Sequence, residues 1–140
     1  MFSFNYTFAE TKLIDNMDFA IQPLDLVNNT SCRFFKLLIN GKCLFDAFVT
    51  EVENNVLDKK TFAGLITLME EFSPTQMLPK AKFRQIKGVD RQDVFEFKRK
   101  NLRVYVVMQQ PNVYVVLGGY KKGQEKDIAK LKRYIKDFMA

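Results

Sequence analysis

Over residues 94–120 the chain carries three strand-length segments joined by connections of three residues, and this stretch limits the possible folds more than any other. In residues 94–98, Phe95 and Phe97 alternate with Glu96 and Lys98. In residues 102–109, Leu102, Val104, Val106 and Met108 alternate with Arg103, Tyr105, Val107 and Gln109. A period of two marks a strand with unlike faces. Residues 113–120 are apolar on both faces, as a central strand buried between two layers must be. Arg99-Lys100-Asn101 and Gln110-Pro111-Asn112 are too short for a crossover, so the three strands must pair antiparallel as a β-meander.

Upstream the period changes. Leu44, Phe48, Val52 and Val56 recur every four residues with Phe45 and Val49 beside them, which predicts an amphipathic helix from about residue 43. A second helix fits residues 60–72 through Phe62, Leu65, Ile66, Met69 and Phe72. Ser73-Pro74 ends it, because the residue before a proline avoids helical backbone. Two successive helices predict an αα-hairpin. Residues 125–138 read as a third helix, with Ile128, Leu131, Ile135 and Phe138 on one stripe and Lys130, Lys132, Arg133 and Lys136 around it. Towards the start, residues 2–8 alternate like a strand and residues 18–22 read as a short one stopped by Pro23. A strand over residues 32–39 ends at the turn signal Asn40-Gly41. Residues 79–88 read as a basic connection. The expectation is an α+β fold: two N-terminal helices packed on a small antiparallel meander, a C-terminal helix, and an extra N-terminal strand segment. No repeat, low-complexity run or linker divides the 140 residues, so one domain is expected.

A hydrophobic content of 47% with 27% charged residues belongs to a globular chain rather than a disordered one. No apolar run approaches the ~18 residues of a membrane span. Residues 1–6 show neither the basic nor the apolar region of a secretory leader, and together with only two cysteines this predicts a cytoplasmic protein outside the membrane. With no histidine and no Cys-x-x-Cys, zinc and iron–sulfur sites are disfavoured and no cofactor is expected. The net charge of +6 conceals an asymmetry. Residues 1–79 carry 6 basic and 10 acidic side chains (net −4), and residues 80–140 carry 16 and 6 (net +10). Such a basic half is suited to an anion, with nucleic acid the first candidate, although solvated lysines on the last helix account for part of the charge.

Four short motifs follow one another here: Phe95-Glu96-Phe97-Lys98, Arg103 opening the next strand, the apolar strand to Gly119, and Tyr120-Lys121-Lys122-Gly123-Gln124. Their order and spacing resemble the RelE/ParE superfamily, within it the RelE/HigB-like branch of toxins of type II toxin–antitoxin systems. The resemblance runs from about Arg33 to Phe138 and leaves residues 1–31 outside the family pattern. It implies a ribosome-dependent endoribonuclease that inhibits translation by mRNA cleavage. Its partners would be the ribosome, mRNA and a cognate antitoxin with an acidic segment.

Cleavage of RNA by its own 2′-hydroxyl needs a base for the 2′ proton, positive charge on the developing phosphorane, and an acid for the leaving 5′-oxygen. No metal is required. The resemblance assigns catalysis to Glu96, Lys98, Arg103, Tyr120, Lys121 and Lys122. Arg103 matches the family's arginine, Glu96 is its candidate base, and Tyr120 or Tyr134 is the nearest tyrosine for the acid. Lys80, Lys82, Arg84, Lys87, Arg99 and Lys100 would bind the RNA backbone. Plainer readings stand beside these. Arg103 reads as a surface arginine pairing across the strands with Glu96. Lys121-Lys122 reads as a solvated turn, and Tyr105 and Tyr120 as core or rim aromatics. Asp90-x-x-Asp93-x-x-Glu96 has the look of a metal cluster but fits the decoration of a turn and strand start better. Gly118-Gly119 lacks phosphate-loop spacing. A non-enzymatic ParE-like toxin directed at gyrase, or an RNA- or protein-binding module of the same fold, is the alternative.

Overall fold

The structure, a computed structural model, describes residues 17–76 and 78–140; the alternating segment at residues 2–8 lies outside them. In chain order the elements are β1 (Phe19–Pro23), β2 (Arg33–Ile39), α1 (Leu44–Glu53), α2 (Val56–Glu71), β3 (Phe83–Gln85), β4 (Val94–Arg99), β5 (Leu102–Gln109), β6 (Asn112–Tyr120) and α3 (Gln124–Phe138). The described strands form one six-stranded sheet in the order β1-β2-β6-β5-β4-β3. Every neighbouring pair is antiparallel except β2 with β6. The fold is α+β, a mostly antiparallel sheet with three helices. No helix among the described residues is long and apolar enough to cross a membrane.

The meander expected over residues 94–120 is present as β4, β5 and β6, but the sheet is not small. It grows at both margins. Between β2 and β6 the chain runs through α1, α2, β3, β4 and β5, far more than the length of crossover that a parallel pair needs. β1 then adds to β2, with Pro23 inside the strand rather than beyond it. An edge strand tolerates a residue without an N–H. At the other margin Phe83–Gln85, expected as part of a connection, pairs with β4. The helices also begin differently. Asn55 caps α2 by accepting the Asp58 N–H on its side-chain oxygen at 3.0 Å, so α2 starts four residues earlier than the apolar spacing indicates. Val56 is therefore no part of the α1 stripe; it is 85% exposed at the tip of the hairpin.

α1 and α2 cover one face of the sheet and α3 the other. On the first, Phe45, Phe48, Val52, Leu65 and Met69 pack with Phe97, Val104, Val106 and Val113. On the second, Leu131 and Ile135 pack with Leu37, Tyr105, Val107, Val116 and Leu117. This double cover is why β6 is apolar on both faces. Gly118-Gly119 serves both layers at once: a Cβ on Gly118 would strike the Phe48 ring of α1, and one on Gly119 would strike the Asp127 carboxylate of α3. Two adjacent strand residues point to opposite faces, so only a pair of glycines admits close approach from both sides.

Candidate functional site

Two rows of side chains cross the α3 side of the sheet, because residues paired across antiparallel strands share a face. The first row is Arg84, Glu96, Tyr105 and Leu117, taken from β3, β4, β5 and β6. The second is Lys98, Arg103 and Gly119. The Lys98 N–H donates to the Lys82 carbonyl at 2.8 Å, which brings the Lys82 backbone to the margin of the same row.

Glu96 is fully buried at the centre of the first row. Arg84 donates to its Oε2 from Nε at 2.9 Å and from Nη2 at 2.5 Å. Gln124, the first residue of α3, donates from Nε2 to Oε1 at 2.7 Å. Arg103 Nε stands 3.6 Å from Oε1, an ion pair but not a hydrogen bond. A carboxylate so enclosed holds cations in place. It does not face solvent, where a 2′-hydroxyl would have to meet it.

Arg103 is 5% exposed. Its Nη1 donates to the carbonyls of Lys100 (2.8 Å) and Leu102 (2.9 Å), which anchors the guanidinium to the β4–β5 turn. Its Nε has no hydrogen-bond partner among the described residues. Lys98, directly across from Arg103, is half-buried, and no described carboxylate lies within ion-pair distance of it. Burial pulls the Lys98 pKa down; the charges of Arg84, Arg103 and Lys121 push the same way, and Glu96 opposes them. Like charges placed directly opposite across a sheet are destabilising. The cluster thus gathers Arg84, Lys98, Arg103 and Lys121 against Glu96 and the Asp127 carboxylate that lies over Gly119, an excess of cations that an anion would relieve. Replacing Lys98 with Met should stabilise the fold by up to ~1 kcal/mol at low salt, less at high salt. The lowered pKa sets the sign with pH. The unfolded chain keeps the Lys98 proton to a higher pH than the fold does, so the parent should gain stability as pH approaches 10.5 and the advantage of Lys98→Met should shrink. Urea midpoints indifferent to the substitution at every salt and pH would contradict this.

Lys121 is exposed, and its N–H donates to the Asn101 carbonyl at 2.7 Å, tying the end of β6 to the β4–β5 turn. Lys122 follows it, also exposed. Lys100 sits exposed in that turn at φ 51°. Lys80, Arg84 and Lys87 line a groove of about 690 Å³ at the β3 margin, with Phe83, Ile86 and Ile128 as part of its apolar lining. Two expected site residues lie elsewhere. Tyr120 points to the opposite face, edge-on to Phe48 at 5.6 Å, since it alternates with Gly119 along β6. Arg99 lies across α2, where Gly64 leaves room for its guanidinium. Tyr134 stands on α3 beneath the Arg133 guanidinium, 5.8 Å from ring centre. The three spaced carboxylates do not converge either: Asp93 is held by Arg91 at 2.7 and 2.8 Å and by Gln109 at 2.6 Å, while Glu96 is held by Arg84.

Two members of the site had no assigned role in the sequence. Gln124 belongs to the motif after Tyr120 but carries no charge to mark it. Tyr105 reads as core and is fully buried, yet its hydroxyl has no well-formed hydrogen bond among the described residues. Burial pushes its pKa up to about 12; the Gln124 side chain beside it works in the other direction, and the charge of Glu96 adds to the rise. Because the folded value is raised, stability is complete below pH 10 and falls as pH climbs from 10 towards 12. An absorbance titration should show one tyrosine ionising near pH 12, a step that disappears in Tyr105→Phe. A parent without that late step would refute the assignment.

Comparison with protein-family models, with curated proteins and with solved structures finds no match to this chain.

Proposed function

We propose that the chain is the toxin of a type II toxin–antitoxin system, a ribosome-dependent mRNA endoribonuclease of the RelE/HigB kind acting in the cytoplasm. The observation that carries this reading is the clustering of Lys98, Arg103, Arg84 and Lys121 on one face around the buried carboxylate of Glu96. A phosphodiester is an anion that such an excess of cations attracts, and a phosphorane carries still more charge. Arg103 and Lys121 stabilise that charge. Lys98 is the proton carrier: half-buried among cations, it holds its proton less tightly than an ordinary lysine, which suits a general base. Glu96 keeps Arg84 and Arg103 in register and takes no proton from RNA. Lys80, Lys82, Lys87, Lys100 and Lys122 contact the RNA backbone around the cluster. An antitoxin with an acidic segment covers the same cations in the resting cell and dissociates more readily as salt rises.

The test is induced expression with mapping of mRNA 5′ ends. Growth arrest with new 5′ ends inside translated messages supports the proposal. Burial of Glu96 and Arg103 favours one competing reading, a module of the same fold that binds RNA or protein without cutting. Arrest without new 5′ ends, or RNA binding without cleavage on ribosomes, would establish that reading instead.

A further inference from the structure

We propose that Gln124 is a positioning residue that keeps the Nε–H of Arg103 uncommitted: by occupying Glu96 Oε1 from the first turn of α3, it holds the carboxylate short of a hydrogen bond with Arg103 Nε. Three observations converge on it. Gln124 Nε2 donates to Oε1 at 2.7 Å. Arg103 Nε stands 3.6 Å from that same oxygen. That Nε has no other partner among the described residues, although Glu96 and Arg103 are 0% and 5% exposed. A buried donor and a buried carboxylate this close would ordinarily shut into a charge-assisted bond. The other oxygen, Oε2, is fixed by Arg84 on the far side. The carboxylate is thus held from two sides, by a cation of β3 and a neutral amide of α3, and neither hold consumes Arg103.

The choice of an amide matters chemically. Glutamine donates without adding charge, so the excess of cations in the row is preserved. A lysine in its place would add another competitor for Glu96, and a glutamate would cancel part of the excess. Without the Gln124 donor, Oε1 loses its partner in a buried place, and Arg103 Nε, 3.6 Å away, is free to take it over. Closing that gap draws the guanidinium onto Glu96 and makes it compete with any incoming anion. The consequence for RNA rests on the anion-site reading above; the local geometry does not.

The experiment uses Gln124→Met, which keeps length and loses the donor, with Gln124→Ala as a second variant should the first not fold. Nitrogen-15 NMR of the arginine Nε–H groups, with the Arg103 signal identified through Arg103→Lys, reads the local claim directly. The Arg103 Nε–H should move downfield and exchange more slowly with solvent in Gln124→Met than in the parent. A signal unchanged in both shift and exchange overturns the inference. Binding of a short oligouridylate should weaken about tenfold, the factor of one charged hydrogen bond diverted. In an Arg103→Lys background, which has no Nε to capture, Gln124→Met should change binding less than twofold. An equal loss in both backgrounds means that Gln124 acts through general structure, and the inference fails. If the parent binds no RNA, the anion-site reading falls while the NMR result still decides the role of Gln124.

Discussion

Glu96→Ala should cost the fold about 3–5 kcal/mol, because it leaves the buried Arg103 guanidinium without its compensating charge. Against a total stability of about 5–15 kcal/mol for a domain, this is a large fraction and shows directly in the urea midpoint. Arg84→Ala should cost much less, since the Arg84 side chain is 47% exposed and water takes over part of its role. Removing both charges together distinguishes pairing from packing. Glu96→Leu combined with Arg103→Met should recover most of the loss, because apolar residues of similar volume replace a buried pair at little net cost. A Glu96→Ala protein within 1 kcal/mol of the parent would show that the carboxylate is not what holds these cations in the fold.

Arg103→Ala should abolish growth arrest and slow cleavage on ribosomes by about 10²–10³, the loss that follows removal of one oxyanion-type donor. The expectation comes from the position of Arg103 in the cluster and from its anchoring by the Lys100 and Leu102 carbonyls, which fixes the guanidinium before any substrate arrives. Lys121→Ala, on an exposed lysine, should weaken binding and its salt dependence more than it slows the chemical step. The two effects separate when cleavage is measured at saturating ribosomes. An Arg103→Ala protein that folds and remains as toxic as the parent at equal level removes Arg103 from the site. Tyr120→Phe serves as the contrast: its ring lies against Phe48 on the other face, so toxicity should be unaffected.

How the site assembles was only half visible in the residues. Lys98 and Arg103 lie directly across from each other as period-two counting implies, because a meander with connections of two residues leaves little freedom of register. Tyr120 obeys the same rule and is sent to the opposite face by it. Arg99 also alternates away from Lys98, and Gly64 on α2 gives its guanidinium a place to lie. Arg84 stood in a segment with no strand period, and nothing local indicated that it would face Glu96. That pairing arises only when β3 docks on β4.

The amino-acid sequence by itself determined the meander, the helix–helix–sheet–helix order, the centrality of β6 and the basic character of the second half. Each follows from short-range rules: side-chain period, turn length and charge count. Tertiary structure alone decided the parallel placement of β2 beside β6, the division of the helices between two faces, and the burial of Glu96 beneath the first turn of α3. These depend on contacts between residues far apart in the chain, where no local period carries a signal. Gln124 and Glu96 are 28 positions apart, and only the packing of α3 over the sheet brings an uncharged amide to the carboxylate that the cations share.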